Sequence, residues 1–363
     1  MRAWRVAGLT MTSLGLLAFG VAAESAERPP DRMRVHFLNV GQGAATLIEF
    51  PCGAMLVDTG GEEHSEFHSV PVLTAYLDAF FARRTDLKNT LDVLLLTHPH
   101  IDHVRGVPAV IERYGVRAVV EGGRQAMQDD AVLSMSRLRS FLVDHPDVKH
   151  LEVSLANFDG EAPLTSTILD PFPACKGVDP SVVALWGQSP TDPGWGEDSY
   201  GKARFDNDNN HSVVTRIDFG GTSLLITGDL EEVAIRELLR RRPEPALDVD
   251  IYQVGHHGSA NGTTADLMRL MSPEFAVLEV GNPERHHSWT AWAFGHPRSS
   301  TIDLLVGGVS GARDAVNEEI GTGVKAFTTR AITQAIYATG WDGTVVLEGD
   351  RDGKIVRGTP DGP

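Results

Sequence analysis

Beyond its first two dozen residues the sequence has no apolar run long enough to span a bilayer. A polytopic membrane protein is therefore excluded, and the processed chain is expected to be soluble. An excess of positive charge is also missing. The formal balance is −17, which gives no general attraction to nucleic acid or anionic lipid and leaves room only for a local basic contact. The basic run Arg240-Arg241-Arg242 falls near the end of a predicted helix, where cations suit the helix dipole. Cysteine is scarce. Cys52 and Cys175 are spaced too far apart for a structural zinc site, which uses closely paired ligands. Whether they pair is open at this level, because their distance in space is not written in the sequence. There is no internal repeat of short period. Gly41-Gln42-Gly43 lacks the third glycine of a dinucleotide fingerprint and is followed by a strand rather than a helix.

What is present begins with an export signal. Arg2 and Arg5 precede an apolar stretch from Val6 to about Val21, and Val21-Ala22-Ala23 is a small-residue cleavage pattern. There is no twin-arginine pair. Residues 1–23 are expected to be removed, residues 24–32 to form a polar linker, and residues 33–363 to form the working domain. Cleavage would move the formal charge from −17 to −19, since Arg2 and Arg5 leave and no acid does. A periplasmic or secreted protein, with no membrane contact after cleavage, is the expectation. The whole chain is 363 residues long, with 42 % hydrophobic and 22 % charged residues, enough for a sizeable core.

Strands and helices alternate in two similar halves. "MRVHFLNV", "ATLIEF" and "AMLVDTGG" read as a hairpin-rich start. Val72, Leu73, Tyr76, Leu77, Phe80 and Phe81 share a helical face over about 70–83. "LDVLLLTH" is a buried strand ending at His98. Helices are predicted over about 106–114, 129–145 and 230–241, and near Ser300. Residues 171–210 read as a long irregular stretch, and strands "SVVTRIDF", "TSLLITGD", "VDIYQVGHHGS" and "FAVLEVG" come next. "GTVVLEGDRDGKIVRG" closes as a hairpin. The alternation predicts an α/β protein, an αββα four-layer sandwich with two sheets between helices.

The decisive segment is Thr97-His98-Pro99-His100-Ile101-Asp102-His103. Three imidazoles and a carboxylate lie within six positions directly after a buried strand, and such groups are good ligands for Zn²⁺ or a similar ion. Alternation sets His98 and His100 on one side of an extended turn and turns Asp102 and His103 toward a second metal position.

This motif resembles the metal-binding signature of the metallo-β-lactamase superfamily. "FLNVGQGAATLIE", "MLVDTGG", "NNHSVV", "LLITGD", "VGHHGS" and "GHP" resemble, in order, the hydrolase domain of ComEC-type competence proteins and their stand-alone relatives. The resemblance spans nearly all of the processed chain. It implies two divalent ions, Zn²⁺ or alternatively Mn²⁺. His98 and His100 would bind the first ion, Asp102 and His103 the second, and Asp229 both. Of His256 and His257, taken as strand residues that point opposite ways, His257 would complete the second ion and His256 would meet the substrate oxygen. His211 is a further ligand candidate, and Asn209 would orient substrate or ligand. Asp58 would hold a metal-bound imidazole. His296 would help protonate a leaving group. Asp102, His256 and His296 are thus the catalytic candidates. One departure stands out: Ala44 occupies the place of the aspartate usual in the ComEC-like G-Q-G-D turn. Trp186 and Trp195 are expected to pack, with stacking on a base or sugar as the alternative.

The implied activity is hydrolysis of a phosphodiester, in an oligonucleotide or a small molecule, by a dinuclear-metal-activated hydroxide. No stable nucleic-acid complex is expected. The alternatives are a carbon-centred hydrolase (β-lactamase, lactonase or thioesterase) and a non-catalytic binding module. The sequence does not speak to oligomeric state.

Overall fold

The computed structural model describes Met1, residues 31–242 and residues 244–362. The expected export signal, apart from Met1, and the linker up to residue 30 lie outside the described residues. Among the described residues no helix is long and apolar enough to cross a membrane.

The first half supplies strands β1 (Met33–Phe37), β2 (Thr46–Phe50), β3 (Gly53–Val57), β4 (Val93–Leu95), β5 (Ala118–Glu121) and β6 (Lys149–Glu152). The second supplies β7 (Ser181–Trp186), β8 (Val214–Phe219), β9 (Thr222–Ile226), β10 (Ile251–Gln253), β11 (Phe275–Leu278), β12 (Ala312–Gly323), β13 (Ala326–Gln334), β14 (Ile336–Ala338), β15 (Val345–Gly349) and β16 (Ile355–Arg357). One sheet runs β6-β5-β4-β3-β2-β1-β15-β16, so the closing hairpin returns to pair with the first strand. The other runs β7-β8-β9-β10-β11-β14. Strands β3 to β6 pair in parallel, as do β9, β10, β11 and β14.

Period-two alternation divides the first sheet between two cores. Met33, Val35, Phe37, Ile48, Phe50, Met55, Val57, Val93 and Leu95 face the second sheet. Leu47, Ala54, Leu56 and Leu94 face helices α1 (Ser69–Arg83), α3 (Val107–Arg113) and α4 (Asp129–Asp144), where Leu73, Leu77, Phe80, Val110 and Leu138 meet them. A short helix α2 (Ile101–Val104) precedes α3. Helices α5 (Glu232–Arg241), α6 (Ala265–Met271) and α7 (Ser299–Gly308) contribute Leu238, Leu267 and Leu305 to the second sheet's core. The result is the expected αββα sandwich.

Three local expectations need correction. Residues 171–210 are not wholly irregular, since β7 lies within them as the edge of the second sheet. Its Trp186 is buried and donates its indole N–H to Asn210 O at 3.0 Å, and Trp195 stacks on it at 6.4 Å, so both pack. The segment "VDIYQVGHHGS" is strand only to Gln253, and residues 255–258 form a tight turn. The hairpin β12–β13 was not anticipated, because its mostly exposed, polar residues carry little alternation.

Arg242 is buried rather than a surface cation at a helix end. It donates to the main-chain oxygens of Leu185 and Ala162 at 2.7 and 2.8 Å. Cys52 and Cys175 are joined as a disulfide across 123 residues, tying the β2–β3 turn to the segment before β7. Closing so long a loop restricts the unfolded chain. Replacing Cys52 with serine is expected to lower unfolding stability by about 2–5 kcal/mol, read as a lower urea midpoint than oxidised wild-type protein. An unchanged midpoint would show that the bond adds nothing.

Candidate metal centre

The centre is built where strands of both sheets end on one side. β4 runs into Thr97 and His98, and α2 begins at Ile101, which places His103 in its last turn. This loop is pressed against two glycine turns. Ala44 N–H donates to Asp102 O at 3.0 Å, and a Cβ on Gly43 or Gly61 would collide with the Asp102 main chain. Glycine is required at both positions by contact, and at Gly43 by its positive φ as well. Ala44 itself is buried at this junction. Asp229 follows β9, and His256 and His257 follow β10. Both histidines sit at positive φ, +51 and +52. This left-handed turn replaces the expected strand alternation, and it lets both imidazoles reach the same carboxylate.

Asp229 is the hub. Its Oδ1 lies 3.2 Å from His103 Nε2. Its Oδ2 lies 3.4 Å from His257 Nε2, 3.7 Å from His256 Nε2 and 4.0 Å from His98 Nε2. Asp102 Oδ2 is 3.4 Å from His257 Nε2. Asp102, His103, Asp229 and His257 thus offer ligand atoms that lie within 4.8 Å of one another. His98 and His100 sit alongside, with the His98 ring 4.6 Å from that of His100 and 4.2 Å from that of His103.

The far nitrogen of each imidazole explains why the near ones converge. His103 Nδ1 donates to Asp58 Oδ2 at 2.7 Å. Asp58 is itself fixed by Thr97, whose N–H and hydroxyl donate to its two oxygens at 2.8 and 2.7 Å. His98 Nδ1 donates to Thr97 Oγ1 at 3.2 Å. His257 Nδ1 donates to Glu279 O at 2.7 Å, and His256 Nδ1 to Asn261 Oδ1 at 3.1 Å. With these four Nδ1 atoms committed, the Nε2 atoms of His98, His103, His256 and His257 face inward, the arrangement that hydrogen-bonded partners impose on metal-binding histidines.

Electrostatics agree. Burial lowers His98 well below the usual imidazole range, and the neighbouring His103 and His100 push the same way, so it is neutral and ligand-ready. Burial also opposes charge on His257, but Asp229 and Asp102 outweigh it and lift it to about 10. Burial opposes ionisation of Asp229, yet His257, His103 and His256 hold it well below the carboxylate range.

These residues fit divalent cations. His98 Nε2 is buried with no hydrogen-bond partner. His103 Nε2 and His257 Nε2 face each other at 3.2 Å, an approach of two lone pairs that a proton or a cation must relieve. The donor set of imidazoles and carboxylates suits zinc-like ions.

His211 is not among them, which corrects its reading as a ligand. Its Nδ1 accepts from Ser189 N–H at 3.1 Å and its Nε2 donates to Phe205 O at 2.8 Å, so no lone pair is left. Asn209 does reach the centre. Its amide donates to His256 Nε2 at 3.4 Å and to Glu231 Oε1 at 3.0 Å. His296 is buried on the rim with its ring 6.1 Å from that of His256, and Gln42 Nε2 approaches its Nδ1 at 3.4 Å.

Residue-pattern reasoning missed Glu279. This buried carboxyl, pushed up to about 7 by burial, accepts from Ala45 N–H, Thr46 Oγ1 and Gln253 Nε2, each at 2.9 Å. It joins the two sheets beneath His257. An acid inside the apolar strand "FAVLEVG" was the available signal, since charge is rarely buried unless paired.

Removing one hub or one support separates these roles. Asp229→Asn is expected to abolish uptake of tightly held Zn²⁺, measured by mass spectrometry of dialysed protein. Asp58→Asn should weaken Zn²⁺ affinity about 10–100-fold in a chelator competition. Unchanged uptake by both variants would dismiss the centre.

Comparison with known proteins agrees with this geometry. Residues 38–190 match the family model described as metallo-beta-lactamase superfamily. ComE operon protein 3 of Bacillus subtilis (strain 168) is 25% identical over 289 residues, which is 75% of this chain and 30% of that protein. Competence protein ComA of Neisseria gonorrhoeae is 26% identical over 305 residues, 84% of this chain and 35% of that protein. The chain thus spans about a third of the length of these relatives. Among solved structures, the metallo-beta-lactamase fold protein YhfI from Bacillus subtilis superposes with a TM-score of 0.41 and 12% identity, covering 77% of this chain and 94% of that one. Residues 38–190 thus match the metallo-β-lactamase superfamily, and the chain as a whole resembles the ComEC competence proteins.

Proposed function

We propose that this chain is an exported phosphodiesterase that works with two divalent ions, Zn²⁺ or alternatively Mn²⁺. The observation that carries the reading is a wall of nitrogen-bearing side chains, Asn209, His256 and His296, beside the ligands. His256 and Asn209 stand against Asp229, and His296 stands behind His256. A phosphodiester is anionic and gains charge on its equatorial oxygens as it is attacked, so a hydrolase for it needs donors aimed at those oxygens.

In this reading His98, His100 and Asp229 hold one ion, and Asp102, His103, His257 and Asp229 hold the other. The ions supply a water ionised near neutral pH and an electrostatic clamp on the reacting phosphoryl group. The protein does the rest. Asp229 fixes the spacing of the two ligand groups. Asp58, Thr97 and the Glu279 carbonyl keep the imidazoles in the required tautomer. Asn209 and His256 orient the phosphoryl oxygens. Burial lowers His296 well below the usual imidazole range, with His256 and His257 adding to the effect, which keeps its ring neutral. With Gln42 facing Nδ1, the Nε2–H of this ring is a neutral hydrogen-bond donor for the leaving oxygen, which takes its proton from water.

Export rests on the signal-like residues 1–23, and the Cys52–Cys175 bond supports it, since such bonds persist in oxidising compartments. The match spans only about a third of each competence relative, so their printed roles in competence transfer here only as part of this proposal.

Purified protein loaded with Zn²⁺ or Mn²⁺ is expected to hydrolyse bis-p-nitrophenyl phosphate, to lose that activity with a chelator, and to leave nitrocefin intact. His256→Ala should lower kcat about 100-fold while retaining its metal content. Turnover of nitrocefin without turnover of the diester would transfer the chain to the carbon-centred hydrolases.

A further inference from the structure

The loop from residue 282 to residue 298 carries rings and charge that the metal centre does not use. Two of the chain's six tryptophans, Trp289 and Trp292, fall within it. Trp186, by contrast, is fully buried. Trp289 is 69% exposed and sits at φ +63, a left-handed conformation that a bulky side chain adopts only at a cost. A ring so exposed is available for contact with a ligand.

The ring lies on a path to the metal ligands. Trp289 is 5.9 Å from Phe294, Phe294 stacks on His296 at 5.5 Å, and His296 is 6.1 Å from His256. Trp292 flanks this path and is sandwiched between a cation and an imidazole. The Lys325 ammonium is 4.7 Å from its ring and His286 stacks on it at 4.7 Å. Lys325 belongs to the turn between β12 and β13. Its N–H donates to Trp292 O at 3.1 Å, and a Cβ on Gly295 would collide with the Gly323 main chain, as one on Gly321 would with that of Gly295. The hairpin thus braces the loop, and the exposed Val324 extends the same patch.

We infer that this braced surface is a stacking subsite for the bases of a single-stranded nucleic acid whose phosphodiester lies at the metal centre. The inference rests on the phosphodiesterase reading above. Every base presents a π face, so an aromatic platform holds a single strand without reading its sequence, and a nearby lysine meets its phosphates. Stacking is short-ranged. It is therefore the means of grip open to a chain of net charge −17, which has no long-range attraction to a polyanion.

The test uses the full chain loaded with metal, a short single-stranded oligodeoxyadenylate, and bis-p-nitrophenyl phosphate. Trp289→Ala should raise KM for the oligonucleotide about tenfold more than KM for the small diester, and Trp289→Phe should recover most of the difference. In chelator, where nothing turns over, the same oligonucleotide should quench the wild-type tryptophan fluorescence and bind Trp289→Ala about tenfold more weakly. Equal changes in KM on both substrates, with unaltered quenching in the variant, would overturn the subsite and leave the phosphodiesterase reading standing. Quenching by a neutral oligosaccharide but not by the oligonucleotide would also overturn it. If no phosphodiester is cleaved, the functional reading fails by itself, and the binding arm still decides the subsite.

Discussion

One buried carboxylate surrounded by imidazoles organises this end of the molecule. Asp229 faces the Nε2 atoms of His98, His103, His256 and His257 from within 4.0 Å. An isolated carboxylate at that depth would be strongly disfavoured, and inward-facing lone pairs at 3.2 Å would repel. The cluster is tolerable only when positive charge sits among its members. The carboxylates outweigh burial and raise both His103 and His257, so the pair favours a proton between its facing nitrogens. Divalent ions would provide that charge more completely.

The fold exists around this requirement in a specific way. Parallel strands β4, β9 and β10 bring three separate segments of chain to one edge, and each ligand arrives at the end of a buried strand. The supports cross between sheets. Asp58 and Thr97 fix imidazoles from the first sheet, while the Glu279 carbonyl fixes His257 from the second and its carboxyl takes hydrogen bonds from both. Local cost is accepted at the site itself: Asp58, His256 and His257 all lie at positive φ, where non-glycine residues are uncommon and need surrounding structure to hold them.

The sandwich was legible because strands β1 to β5 of the first sheet are apolar on both faces or alternate, and because α1 repeats its buried residues at helical spacing. Residues 97–103 stood out because imidazoles and a carboxylate are so closely spaced there, and the structure brings His98 and His103 to Asp229 and Asp102 to His257. His211 misled for a physical reason. A histidine beside a candidate site looks the same in sequence whether its nitrogens are free or bonded, and here a serine N–H and a phenylalanine carbonyl take both. The turn at His256 and His257 was also hidden, since a strand-like apolar run preceded it and only the φ angles reveal the left-handed reversal. Glu279 and the hairpin β12–β13 act through contacts with segments far away in the chain, which periodicity does not record. Trp289 gave no sign of exposure, because a tryptophan in sequence is more often core than platform.

The central claim is that the histidines and aspartates gather around two cations. Anomalous diffraction from crystals of the zinc-loaded protein, collected at the zinc edge, tests this most directly. The account predicts two peaks flanking the Asp229 carboxylate, one contacted by His98 and His100 and the other by Asp102, His103 and His257. Peaks elsewhere, or none at Asp229 in protein that has been saturated with zinc, would contradict it.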